Sequence, residues 1–228
     1  MVGTNGFEGF APEALHFLAD LREHNERAWF QAHRDEYESL LLEPARDLVE
    51  ALGVEVGRFA AGVNADPRVG RSIMRINRDT RFSRDKRPYK DHLDLWLWQG
   101  DGPSRECPGY WFRLTAERLI LGAGMHRFER PALERYREAV AAPSRGAALE
   151  RAAGAVAEAG YELGGRDYKR IPAGYDVPPE RTDLLLHGGL YAGLETAVPD
   201  EAHTAELPAY CAGHYRKLAP LVDWLAEL

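Results

Sequence analysis

Three neighbouring segments of the chain alternate between two kinds of side chain with a period of two. The first, residues 91–99, has leucine at every second position: Leu93, Leu95 and Leu97. The other two, residues 109–115 and 118–124, are joined through a connection short enough for a tight turn. This pattern predicts antiparallel strands of one sheet, with the three leucines facing the core and Asp94 facing away from it.

Helical patterns lie on both sides of these strands. Apolar residues recur near the helical period in segments 13–24, 26–42, 44–59, 130–141, 144–159, 181–187 and 207–228. Asn25 and Ser144 are expected to cap two of these helices, and Pro220 to interrupt the last one. The sequence therefore predicts an α+β fold in a single domain spanning 1–228. It would have a central antiparallel sheet of about four or more strands, with N-terminal and C-terminal helices packed around it.

A cationic residue occupies every third position of residues 75–90: Arg75, Arg78, Arg81, Arg84, Arg87 and Lys90. Residues 66–92 contain nine cationic and four acidic residues, a net charge of +5, whereas the whole chain has −7 and the remainder therefore −12. A basic segment on an acidic body favours a small anionic ligand, such as one bearing phosphate or carboxylate, and the acidic body would repel a long polyanion. We therefore expect a small anionic ligand and no binding of long duplex nucleic acid.

A short strand over residues 72–77, followed by a long loop, is the expected structure of this segment. Loops held by a rigid scaffold commonly carry binding groups. The predicted ligand-binding residues are Arg75, Arg78, Arg81, Ser83, Lys86, Tyr89 and Lys90. Asp79 is the candidate catalytic residue, as an acid–base or orienting group.

Other functions of the same segment remain open. In an enzyme, Arg78, Arg81 and Lys86 would hold an anionic substrate and stabilise developing negative charge. In a non-enzymatic protein, the segment would bind an acidic partner, or its arginines and aspartates would form a structural ion-pair network anchored by Phe82 and Tyr89. The sequence identifies no reaction, cofactor or oligomeric state.

Several motifs along the chain resemble one protein family. The run RDTRFSRDKRPYK, preceded by Arg75-Ile76, occurs in the same order with NERAWFQAHRDEYESLLLEPARDL, CPGYWFRL, LILGAGMHRFERPALERYREAV and KRIPAGYDVPPERTDLLLHGGLYAGLE. Together these motifs resemble the pattern of the domain-of-unknown-function family 2461 over essentially the whole chain. The resemblance implies a shared fold and a shared site in the basic segment, but no established reaction, substrate or cofactor.

The remaining candidate groups predict no metal site. Cys107 and Cys211 lack the spacing of a zinc site or a disulfide framework, and the eight histidines lack a metal-ligand spacing. His92 and His126 could nevertheless converge in space as an acid and a base. No signal-like N-terminal segment and no apolar run near the ~20 residues that span a bilayer are present, so we expect a cytoplasmic protein without membrane contact.

The aromatic residues and glycines of the predicted strands are expected to have structural roles. The tryptophans of residues 91–115 are interpreted as half-buried sheet aromatics rather than as a stacking platform. Gly122 and Gly124, at the end of the third predicted strand, are interpreted as turn residues rather than as a point of close ligand approach.

Overall fold

A computed structural model describes residues 6–228 and contains helices around one sheet. The helices are α1 (Pro12–Glu23), α2 (Arg27–Ala32), α3 (Arg34–Tyr37), α4 (Glu43–Gly57), α5 (Arg130–Ala141), α6 (Pro143–Glu158) and α7 (Leu207–Ala226). The strands are β1 (Val63–Asn64), β2 (Leu93–Gln99), β3 (Gly109–Leu114), β4 (Arg118–Met125), β5 (Leu163–Arg166) and β6 (His187–Ala197). Their order in the sheet is β1-β2-β3-β4-β6-β5, with every pair antiparallel. The predicted α+β fold is confirmed.

The sheet has a core face and an open face. Leu93, Leu95 and Leu97 are fully buried on the core face, with Phe112 of β3 and Leu121 of β4, as the period of two predicts. Helix α7 packs on β4 and β6, and α4 packs on β1, so the helices close the core on this side. Asp94, Trp96 and Trp111 lie on the opposite face and stay only half-buried, which leaves that face accessible to a ligand.

The predicted strand over residues 72–77 forms only part of a ladder. Ile73 pairs with Leu95 as an isolated bridge, flanked by hydrogen bonds from the Met74 amide to the Asp94 carbonyl and from the Trp96 amide to the Ser72 carbonyl. Beyond Met74 the segment no longer pairs with β2, and residues 76–78 pair instead with residues 88–90 of the same segment. The Arg78 amide donates to the Pro88 carbonyl and the Lys90 amide to the Ile76 carbonyl, which closes a loop that we call the basic arm (residues 78–88).

Strand β6 was not predicted, because its glycines disfavour a strand when only local propensity is considered. A short helix was expected over residues 181–187 instead. The structure has two 3₁₀ turns there, Pro179–Arg181 and Leu184–Leu186, and the chain enters β6 at His187. Pairing with both β4 and β5 supplies the hydrogen bonds that stabilise this glycine-rich strand.

Four details of the predicted helices were wrong. The segment 26–42 is divided into α2, α3 and a π turn (Glu38–Leu42) that continues into α4. Ser144 lies inside α6, whose N-cap position is Ala142. Helix α7 runs without interruption through Pro220, because buried apolar side chains on both sides of the proline hold it against the sheet. Asn25 does not cap α2 and has a tertiary partner instead.

Asn25 fastens the end of the basic segment to the helices. Its side-chain amide donates to the Tyr89 carbonyl at 3.1 Å, and its side-chain oxygen accepts from the Tyr89 amide at 3.0 Å. The Tyr89 ring is buried and stacks on Phe30, with 4.1 Å between ring centroids. Because both Tyr89 backbone groups are buried away from water, these two bonds satisfy them.

Asn25→Ala is expected to lower the free energy of unfolding by about 1–3 kcal/mol, since it leaves the Tyr89 amide and carbonyl without partners. Urea unfolding followed by circular dichroism measures this change. Asn77→Ala is the matched control, because Asn77 is exposed and its side chain makes no hydrogen bond to the described residues. Equal stability of the two variants would contradict the role assigned to Asn25.

Among the helices of residues 6–228, none combines the length and the apolar character required to cross a bilayer.

Candidate functional site

The basic segment repeats one local structure three times. In each repeat an aspartate lies two residues before an arginine: Asp66 and Arg68, Asp79 and Arg81, Asp85 and Arg87. The arginine amide donates to the aspartate Oδ1 at 3.0–3.2 Å, and its guanidinium donates to both carboxylate oxygens. Each arginine is therefore oriented by a carboxylate of its own turn.

Asp79, the predicted catalytic residue, serves as the carboxylate of the second repeat. Hydrogen bonds from the Arg81 guanidinium lower the pKa of Asp79 to about 2. A carboxylate that is ionised over the whole physiological range and already bound to arginine is a poor acid–base group. Of the two roles predicted for Asp79, the geometry favours orientation of Arg81.

The other predicted ligand-binding residues of the segment do not form one empty site. Arg78 Nη1 lies 2.6 Å from Asp85 Oδ2, and Lys86 donates to the Thr80 carbonyl at 2.8 Å. Arg75 is exposed beside Gly70, and Ser83 makes no side-chain hydrogen bond to the described residues. The geometry thus resembles the alternative of an ion-pair network, except that Phe82 is 95% exposed and anchors nothing.

Lys90 belongs to a separate cluster around Asp94. Three basic side chains surround this carboxylate: Lys90 Nζ and His92 Nε2 lie 3.0 and 3.2 Å from Oδ2, and Arg113 Nε lies 2.6 Å from Oδ1. Burial alone would raise the pKa of Asp94, but hydrogen bonds from His92 and Arg113 outweigh it and hold this pKa well below its usual value. Asp94 therefore fixes the position of Arg113 on the open face.

A groove with a volume of about 640 Å³ lies on the open face beside Arg113. Its lining includes Met74 from the basic segment, Trp96 from β2, Trp111 and Arg113 from β3, Ile120 from β4, and Tyr191 and Glu195 from β6. In the sheet register, Trp96 pairs with Trp111, Trp111 with Gly122, and Gly122 with Gly193. Two adjacent glycines therefore contribute no side chains to the middle of this row: the Trp111 indole lies over Gly122, and Gly193 lines the groove.

Glycines also let the aromatic rings lie flat on the sheet. A Cβ atom added at Gly122 would lie 2.0 Å from Trp111 Cζ2, and one added at Gly164 would lie 2.3 Å from Tyr191 Cε2. Gly122 and Gly124 thus lie within β4 and are not turn residues, and Gly122 permits close approach of an indole. Trp96 and Trp111 are half-buried, as predicted, and they also line the groove. For Trp98 the prediction was wrong, because this side chain is buried, and it lies outside the lining.

His126 follows β4 at the edge of the groove. Its ring centroid lies 4.2 Å from that of Trp111 and 4.5 Å from that of Tyr191. Partial burial, with the positive charge of Arg113 as a second cause, lowers the pKa of His126. His92 and His126, the predicted acid–base pair, lie on the same face of the sheet. His92 and Arg113 both contact Asp94, and the charge of Arg113 acts on His126, but the two imidazole rings make no direct contact.

Potential metal ligands do not cluster in residues 6–228: no group of three or more histidine, cysteine, aspartate or glutamate side chains has a suitable arrangement. Cys107 and Cys211 are buried free thiols. Burial raises the pKa of Cys211 far above that of a reactive thiol.

Asp94→Asn is expected to lower the free energy of unfolding by about 3 kcal/mol at pH 7, because it leaves its cationic neighbours without their carboxylate. The folded-state pKa of Asp94 is lower than its unfolded value, so its contribution is fully present above about pH 4 and is lost as the pH falls through the folded-state value. The difference from the wild-type protein should therefore narrow below pH 4 in urea unfolding. Asp79→Asn, at an exposed ion pair, should change stability much less than Asp94→Asn, because water screens the interaction; equal effects of the two substitutions would contradict this assignment.

Comparison with known proteins identifies a family but no activity. No curated protein matches the sequence. The family described as "Conserved hypothetical protein (DUF2461)" matches residues 13–224, a range that includes the basic segment, the Asp94 cluster and every strand of the sheet. The chain therefore belongs to the DUF2461 family.

Proposed function

We propose that the protein binds a small organic ligand in the groove of the open face, with an anionic group of the ligand on Arg113 and a flat apolar part on the aromatic rings. The observation that carries this proposal is the combination of aromatic rings lying on glycines with an arginine fixed beside them. A groove of about 640 Å³ lies within the usual range for small-molecule sites.

The guanidinium of Arg113 has donors available for a ligand. Asp94 takes its Nε and Nη2 hydrogen bonds, at 2.6 and 3.3 Å, while the side chain stays 43% exposed. Because Lys90 and His92 share the same carboxylate, Asp94 alone does not neutralise the positive charge around it. An oriented and incompletely neutralised guanidinium is suited to a carboxylate or a phosphate.

This proposal keeps the small anionic ligand expected from the sequence but changes its site. Met74 lines the groove and Lys90 pairs with Asp94, which also lines it, whereas Arg78, Arg81 and Lys86 are already bound within the arm. Long duplex nucleic acid remains an unsuitable partner for a chain of net charge −7. The two unpaired thiols fit a reducing compartment, and we place this binding in the cytoplasm.

Titration with 4-methylbenzoate and with phenyl phosphate, followed by tryptophan fluorescence and calorimetry, tests this function. We expect both anions to bind more tightly than neutral 4-methylbenzamide. Arg113→Lys keeps a charge for Asp94 but loses the planar fork, and it should weaken both anions about ten-fold. Arg118→Lys, on the same face but outside the groove lining, should leave binding unchanged; equal affinities of the two variants would contradict the proposal.

A second candidate function, docking of an acidic protein surface, is favoured by one feature of the basic arm. Phe82 is 95% exposed at its end, and the Arg81 guanidinium lies 5.8 Å from the centre of its ring. The aspartate–arginine turns orient the neighbouring cations before any partner arrives. An exposed aromatic ring among oriented arginines has the composition of an interface anchor.

Phe82→Ser is expected to leave the free energy of unfolding within about 0.5 kcal/mol of wild type, because an exposed ring contributes little to folding. It should weaken binding of a fluorescent acidic peptide that contains leucine and glutamate, measured by anisotropy. Val54→Ser, at an exposed position of α4, is the control and should not affect binding. Unchanged peptide affinity of the Phe82 variant, or no binding by wild type, would exclude this second function.

A further inference from the structure

We propose that the ligand of the groove is a zwitterion, with its anionic group on Arg113 and a cationic group between Glu162 and Glu195. This inference rests on the proposed function and adds a second charged contact to it. It specifies the chemical class of the ligand as a molecule with two opposite charges separated by a flat apolar body.

The groove lining contains more carboxylates than cationic side chains, which favours a ligand that carries a cationic group as well as an anionic one. The residues that line the groove include one cation, Arg113, and three carboxylates, those of Asp94, Glu162 and Glu195. Lys90, which shares Asp94 with Arg113, and Arg118, which lies near Glu195, are outside the lining. A ligand that carries only an anionic group would introduce a like charge near both glutamates. A ligand that also carries a cation would compensate them, because opposite charges that meet in a partly enclosed site attract more strongly than in bulk water.

Both carboxylates are available to a ligand. Glu195 is 60% exposed, and its nearest cation is Arg118, at 3.8 Å, too far for a hydrogen bond. Glu162 is exposed and has neither an ion pair nor a side-chain hydrogen bond to the described residues. They differ in this respect from the aspartates of the basic arm, each of which has an arginine within hydrogen-bonding distance.

The sheet register places these carboxylates across the groove from Arg113. Arg113 pairs with Ile120 and Ile120 with Glu195, so two strand spacings, roughly 10 Å, separate the backbones of Arg113 and Glu195. Glu162 directly precedes β5 at the level of Gly193, because Leu163 pairs with Ala192. The two charges of the ligand must therefore lie at opposite ends of its body, not on adjacent atoms as in an α-amino acid.

The middle of the groove suits the body of such a ligand. Gly193 lines the groove and presents no side chain, while Trp111, whose indole covers Gly122, and Tyr191 present aromatic rings. A planar group can lie over Gly193 in contact with these rings. The same rings attract a cation that lies over their faces, which adds to the attraction of the carboxylates.

Three probes with the same ring separate the two charged contacts. They are 4-(aminomethyl)benzoate, which carries both charges, 4-methylbenzoate, which carries only the anion, and 4-methylbenzylamine, which carries only the cation. Affinities of the 228-residue chain are measured by calorimetry at low ionic strength. We expect the zwitterion to bind about five-fold more tightly than 4-methylbenzoate for each carboxylate that it contacts.

Glu162→Gln and Glu195→Gln test which groups hold the cation. Each variant should reduce the affinity for 4-(aminomethyl)benzoate about five-fold while leaving the affinity for 4-methylbenzoate unchanged or higher. Glu158→Gln, at an exposed position of α6 outside the groove, is the matched control and should change neither affinity. High salt should reduce the advantage of the zwitterion, because exposed charges are screened.

The outcomes separate this inference from the function on which it rests. If 4-methylbenzoate binds through Arg113 but 4-(aminomethyl)benzoate binds no more tightly, the inference is overturned while the proposed function stands. An advantage of the zwitterion that persists in both glutamine variants also overturns it. If none of the three probes binds, both the inference and the proposed function are overturned.

Discussion

The carboxylate of Asp94 is the interaction on which the open face depends. It joins Lys90 at the end of the basic segment, His92 just before β2 and Arg113 on β3. Without it, three basic side chains would lie close together on a half-buried surface. With it, Arg113 is held at the edge of a groove lined by aromatic rings and by Gly193, and the sheet gains a fixed hydrogen-bond donor for a ligand.

The period of two made much of the sheet predictable. It gave the alternation of Leu93, Leu95 and Leu97 with Asp94, since burial of one face enforces that pattern. Strand β6 escaped prediction because its glycines carry no propensity for a strand, and its stability comes from partners on both sides. Asn25 was misassigned for a similar reason: a residue with a good local role as a cap has a stronger tertiary one at Tyr89.

The site was harder to predict than the fold. The cations at every third position suggested a ligand site in the basic arm. The aspartates two residues before Arg81 and Arg87 are also present in the sequence, and they indicate that these arginines pair locally. The groove requires the register that places Gly122 opposite both Trp111 and Gly193. The glycines at alternating positions of β4 and β6 were the sequence signal for this groove. They could be interpreted only once the order of the strands showed that Gly122 lies between Trp111 and Gly193.

The most direct test of the central claim is the response of the five tryptophan indole N–H resonances to 4-methylbenzoate in two-dimensional ¹H–¹⁵N NMR spectra of the wild-type protein. We expect large, saturable shifts for Trp96 and Trp111, which line the groove, and none for Trp29 and Trp224, which pack among the helices. In Arg113→Lys, about ten-fold more 4-methylbenzoate should be needed to produce the same shifts. Saturable binding that shifts Trp29 or Trp224 but leaves Trp96 and Trp111 unchanged, or the absence of any saturable shift, would contradict this claim.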